Sequence, residues 1–281
     1  MYFKKIKISR KLTIVLILIF LIITKKPIVF KSKYPVLTLF RVVLFFFGFS
    51  SFYVSLSVLP LGTATALFFV TPFLITIFAH FFLKEEIGLR RWSAIAVGFV
   101  GVYITLNPDF SNFNYLSLLP ILCAFCYSLS MIIIKKTSDK DSVYTQTFTF
   151  YIGAIIFSII FYFVIGDGKF NTTGHPAAQF IFREWFVSIE NSILFMVATG
   201  VTATVAFLLL FSAYSIASPA VVSPFEYSIL LWSPLIGWIC FNEVPTLNTV
   251  IGILIIVSSG IYIFLREKAQ DQSIVTDKPL R

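Results

Sequence analysis

The chain is built of long apolar runs separated by short polar connections. Runs such as "ILIFLIIT" (17–24) and "IIFSIIFYFVIG" (155–166) do not alternate apolar with polar residues, so they do not read as barrel strands. Runs of about 20 residues can cross a hydrocarbon core of roughly 30 Å as helices. A helix also satisfies its backbone hydrogen bonds internally, as lipid requires. The breaks define nine spans, at 12–30, 36–58, 62–83, 91–107, 115–134, 143–166, 191–213, 218–241 and 247–265. The pattern predicts an all-α, polytopic membrane protein.

Composition agrees. Of 281 residues, 58% are apolar and only 12% charged, and mean hydropathy is +0.93. A soluble domain carries about 25% charged residues, so this chain cannot cover a globular surface. The net charge of +9 is distributed as a topology signal. "KKPIVFKSKY" (25–34), Lys84 with Arg90 and Arg91, "KKTSDKD" (135–141) and the tail with Arg266 and Lys268 are basic. "SVLPLG", "NPDFSNFN" and "FNEVPT" are not, and the two kinds of connection alternate. Under the positive-inside rule the basic ones face the cytoplasm. The longest connection, 167–190, faces outside and mixes Lys169, His175 and Arg183 with Asp167, Glu184 and Glu190. Positive charge spread over short loops is not a nucleic-acid-binding patch. The first run is anomalous: "KKIKISRK" precedes it and basic residues follow it, with no small-residue cleavage site after it. An earlier helix absent from the chain would explain this.

The chain repeats itself. "VGFVGVYI" (97–104) follows Glu85, and "IVSSGIYIF" (256–264) follows Glu243. Glycine pairs alone are common in membrane helices, but here an acidic residue also precedes "G[VI]YI" both times, by sixteen or seventeen residues. Aligning Glu85 with Glu243 gives a unit of five helices. An odd number reverses the second unit in the membrane, so the repeat is inverted, a pattern of many secondary transporters.

Residues 40–108, from "FRVVLFFF" to "VYITLNP", resemble the first unit of the drug/metabolite transporter superfamily in its EamA-domain branch. Residues 221–268, from "VVSPFEYS" to "FLREK", resemble the end of the second unit. The resemblance runs over about 12–268 and implies ten helices in two inverted units, moving a small metabolite. It places a first unit at 12–107, lacking its first helix, a second at 115–265 and a cytoplasmic tail at 266–281. Nine spans then stand where the family pattern has ten, which implies a start further upstream or a shortened product.

An ionisable side chain deep in a span usually faces a cavity or a partner. Glu226, in "SPFEYSILLW", is the sharpest candidate. Pro219 and Pro224 remove backbone donors near it and make a hinge, as in the broken helices of midplane sites. Its repeat-related position holds Phe68, so the charge belongs to one unit only. The competing reading is a carboxylate hydrogen-bonded to a neighbouring helix. Arg41 either holds an anionic group or snorkels to the cytoplasmic face. His80 reads as a packed residue sooner than a proton relay, and Glu85, Glu86 and Glu243 as loop-ordering residues. Tyr127, Tyr151, Tyr214 and Trp232 are candidate cavity-lining rings. Trp232 and Tyr227 are preferred because they share a span with Glu226. The substrate-binding candidates are thus Glu226, Tyr227, Trp232 and Arg41.

Cys123 and Cys126 spell C-x-x-C inside a membrane run, where packing explains them better than redox or zinc chemistry. "NTT" (171–173) matches a glycosylation sequon on the outer connection. Walker A, G-x-S-x-G and H-E-x-x-H motifs are absent. Neither cofactor nor metal is expected. The expected partners are a small-molecule metabolite and the bilayer, with a homodimer left open and nucleic acid excluded. The leading reading is a secondary transporter of the bacterial inner membrane, with S-adenosylmethionine fitting a carboxylate among aromatic rings. Amino acids and riboflavin stay open as cargo. A lipid-modifying membrane enzyme and a non-transporting remnant are the competing classes. Scattered acids and only two His argue against the enzyme.

Overall fold

The computed structural model describes residues 32–84, 88–107, 114–172, 174–185, 193–217 and 219–269. The expected first span at 12–30, Glu85, Glu86 and the tail beyond 269 lie outside them. Every regular element described is helical.

Helix α1 (Pro35–Ser55) is followed by α2 (Leu61–Phe68) and α3 (Thr71–Leu83), then by α4 (Leu89–Leu106). A 3-10 turn at Tyr115–Leu118 leads into α5 (Leu119–Thr137), and α6 (Val143–Ile165) follows. The long connection carries a short helix, α7 (Pro176–Phe182). Helix α8 (Ile193–Ile216) precedes α9 (Pro219–Val222), a 3-10 segment at Ser223–Ser228 and α10 (Ile229–Phe241). Helix α11 (Leu247–Ala269) is last. Five stretches are long and apolar enough to span a membrane: Pro35–Ser55, Leu61–Leu83, Tyr115–Thr137, Val143–Ile165 and Val197–Ile216. Trp92–Leu106, Trp232–Phe241 and Leu247–Tyr262 are shorter apolar helices. Large apolar side chains such as Phe163, Leu209 and Leu254 are exposed along α6, α8 and α11, as lipid contact allows.

Two expected continuous spans are interrupted. The span at 62–83 breaks between α2 and α3 at Phe69–Val70, just before Thr71-Pro72. Pro72 has no N–H to return to the preceding turn, and the Thr71 hydroxyl donates to the Phe68 carbonyl instead. The span at 218–241 changes to 3-10 geometry over Ser223–Ser228. Phe68 and Glu226, the repeat-related pair, therefore both lie at a break. The two spans also end alike. Lys84 (φ 58°) and Asn242 (φ 56°) adopt the left-handed conformation immediately before Glu85 and Glu243.

The repeated phrases pack against each other. A Cβ on Gly101 would come within 2.9 Å of Ile256 Cγ1 and 3.0 Å of the Gly252 carbonyl. One on Gly252 would meet the Gly101 carbonyl at 2.7 Å and overlap the Thr105 hydroxyl. Lipid offers no hydrophobic drive between helices, so close backbone approach is what holds such a seam. The Gly48 face of α1 packs on Cys126 in the same way, with a virtual Cβ 2.8 Å from its Cβ. Cys123 and Cys126 are buried free thiols on that seam.

Connections of like charge meet. On one side, the Asp141 carboxylate accepts from the Lys33 N–H (2.8 Å) and from the Ser32 hydroxyl. Residues 32–34 are thereby tied to the α5–α6 connection. On the other side, Glu243 Oε2 accepts from the Leu61 N–H at 2.6 Å. The N-cap residue there is Pro60, which has no side-chain cap to offer. Glu243 supplies one from the other half of the chain, placing its charge at a helix N-terminus.

Candidate functional site

Glu226 sits in the 3-10 segment between α9 and α10. Its Oε1 accepts two phenolic hydrogen bonds, from Tyr127 on α5 at 2.9 Å and from Tyr214 on α8 at 2.6 Å. The carboxylate is partly buried, while Tyr214 is fully buried and Tyr127 nearly so. The irregular backbone brings Glu226 to the junction of these helices. Phe68 approaches from the other break, its ring edge-on to Tyr127 at 5.5 Å.

The rings form one continuous cluster. Phe45 on α1 contacts Tyr127 (5.9 Å), Phe150 on α6 (4.8 Å) and Phe207 on α8 (5.8 Å). Phe207 and Phe211 lie one helical turn apart on α8, with centroids 5.7 Å apart. Most contacts are edge-on or tilted, the geometry that aromatic quadrupoles favour.

Arg41 borders this cluster at Phe211. It lies six residues into α1 after Pro35, about 9 Å along the axis. It is 1% exposed. Nη1 donates to Gln146 Oε1 (3.0 Å) and Nη2 to the Gln146 carbonyl (2.5 Å). Its guanidinium carbon lies 5.3 Å from the Phe211 centroid. Nε is buried and has no acceptor among the described residues.

Of the sequence candidates, the structure joins Glu226 and Arg41 through the ring cluster. Trp232 stays outside it at 62% exposure. Pro219 is buried at the start of α9. Pro224 and Tyr227 belong to the 3-10 segment, with side chains outside the described residues. Sequence reasoning raised Tyr127 and Tyr214 but ranked them below residues sharing a helix with Glu226, although a broken helix recruits partners from its neighbours. Gln146 was missed; a polar side chain one turn into an apolar run was the available signal. His80 packs edge-on to Trp92 at 6.2 Å. Among the described residues, no group of three His, Cys, Asp or Glu side chains could hold a metal ion.

The model of the EamA-like transporter family matches residues 10–107 and 115–265. A protein of Rickettsia bellii named S-adenosylmethionine uptake transporter is 31% identical, over 85% of this chain and 75% of its own length. A riboflavin transporter of Rhizobium johnstonii is 29% identical, over 86% of this chain and 74% of its own. One solved crystal structure, 15% identical, superposes with a TM-score of 0.59 over 86% of this chain and 80% of that one. At that identity the likeness concerns the fold alone. Two matched segments covering most of the sequence, on an all-helical scaffold of membrane-spanning length, make this chain a member of the EamA-like transporter family.

Proposed function

We propose that this protein takes up S-adenosylmethionine across a bacterial inner membrane, working as a secondary carrier and not as an enzyme. The observation that carries the reading is the Glu226 carboxylate, held by two phenols at a helix break and faced by aromatic rings. A sulfonium or amine cation suits that carboxylate, and aromatic faces attract cations and stack on a flat base. Relatives named for S-adenosylmethionine uptake, at about 30% identity, support the same cargo.

Transport would proceed by rocking of unit 12–107 against unit 115–265, with Pro219 and Pro224 as the hinge. The basic connections would face the cytoplasm. Glu226, Tyr227, Trp232 and Arg41 remain the substrate-contact candidates, Tyr127 and Tyr214 joining them on geometry. A second cargo, riboflavin, is favoured by relatives named riboflavin transporter at 29–30% identity.

The test is uptake of labelled S-adenosylmethionine, riboflavin and amino acids by energised cells expressing the chain. Saturable S-adenosylmethionine uptake is expected, falling at least tenfold in Glu226→Gln at equal membrane insertion. Uptake of riboflavin alone would replace the cargo. Undiminished uptake in Glu226→Gln would remove the carboxylate from the site.

A further inference from the structure

The geometry points to Arg41 as an anion-binding subsite that complements Glu226 and takes the α-carboxylate of the cargo, so that the carrier selects zwitterions bearing a flat ring. This rests on the cargo reading above and narrows it.

A guanidinium at 1% exposure has lost its water. Buried charges are ordinarily paired. Among the described residues, its N–H bonds go to Gln146, through a neutral amide and a backbone carbonyl, and Nε meets no acceptor. Asp141 is the nearby carboxylate, and it is engaged elsewhere. Its two oxygens take the Lys33 N–H and the Ser32 hydroxyl, while its backbone carbonyl takes Gln146 Nε2 at 3.2 Å. Gln146 thus links the guanidinium to the Asp141 backbone and not to its carboxylate. An unfilled donor on a planar cation suits a carboxylate.

The position fits the rest of the site. Arg41 lies over Phe211, Phe211 packs on Phe45 at 6.0 Å, and Phe45 packs on Tyr127, which holds Glu226. A cation and a carboxylate therefore both border one aromatic cluster. A molecule with a carboxylate, a flat ring and a positive centre complements all three parts. A neutral flavin complements only the rings.

The experiment compares matched pairs in uptake competition by cells expressing the full chain, with thermal shift of the purified protein alongside. The pairs are S-adenosylmethionine and its decarboxylated form, arginine and agmatine, tryptophan and tryptamine. In the wild type, the carboxylated member of the recognised pair should bind at least tenfold more tightly. Arg41→Gln should shrink that preference to about twofold, while Arg41→Lys keeps part of it. Arg41→Lys also carries the test if Arg41→Gln fails to insert. Full preference retained in either variant would make Arg41 a structural pin between α1 and α6, and preference for a carboxylate-free ligand such as riboflavin would likewise overturn the proposal. Recognition of tryptophan with the same Arg41 dependence would sustain the subsite while refuting S-adenosylmethionine as cargo, and recognition of arginine would overturn the requirement for a flat ring.

Discussion

At the scale of single residues, the arrangement around Glu226 is economical. One carboxylate oxygen takes both phenolic protons, from helices in different parts of the sequence. Hydrogen bonds to a charged group are worth about 1.5–3 kcal/mol each, so the two tyrosines fix the carboxylate's position. Tyr127→Phe and Tyr214→Phe should each raise KM for the cargo about three- to tenfold with little change in membrane insertion, and the double variant should approach Glu226→Gln. Saturation curves for uptake check this. Glu226 was legible in the sequence because a lone acid stands out in an apolar run. Its partners were not, because nothing in an apolar sequence of 34 Phe and 12 Tyr says which rings converge. Sharing a helix was a poor guide, since beyond the 3-10 segment the chain turns Trp232 outward.

At the scale of elements, the long runs announced their helices well. The run at 143–166 became Val143–Ile165, and 91–107 became Leu89–Leu106. The break at Phe69–Val70 escaped because Thr71-Pro72 lies within a long run that holds no Asp, Glu, Lys or Arg. The seven-residue α7 escaped because it lies in a mixed connection, where its cap is His175 Nδ1 accepting from the Ala177 N–H at 3.3 Å. Glycine contacts set helix spacing, and they can be tested. A Cβ at Gly98 would fall 2.0–2.6 Å from atoms of the buried Phe73 ring. Gly98→Leu should therefore lower the melting temperature in detergent, at a cost of about 1–3 kcal/mol or more. Removing the Glu243 cap on α2 by Glu243→Ala should cost about 1 kcal/mol. Glu243→Gln, which keeps an acceptor, should cost less, and melting curves of the three proteins rank them.

At the scale of the whole molecule, two ties hold the bundle at opposite ends. Asp141 gathers residues 32–34 on one side, and Glu243 caps α2 on the other. If basic connections face the cytoplasm, the Glu243 tie is external. Cysteine labelling decides the orientation. With Cys240, the exposed free thiol, replaced by Ser, Asn171→Cys should react with a membrane-impermeant maleimide on intact cells. Lys140→Cys should react only after permeabilisation. The reverse pattern would invert the topology and place the Asp141 tie outside.

The seam at Gly101 and Gly252 has a consequence for how the protein is made. Helix α4 ends at Leu106 and its partner α11 begins at Leu247, about 140 residues later. At 5–20 residues per second a ribosome needs roughly 7–30 s to bridge that gap. Throughout that interval the groove on α4 has left the ribosome without the surface it is shaped for. The most intimate contact in the finished bundle is therefore among the last to close. A nascent chain stalled before residue 247 would present that groove to lipid, to insertion chaperones or to another nascent chain.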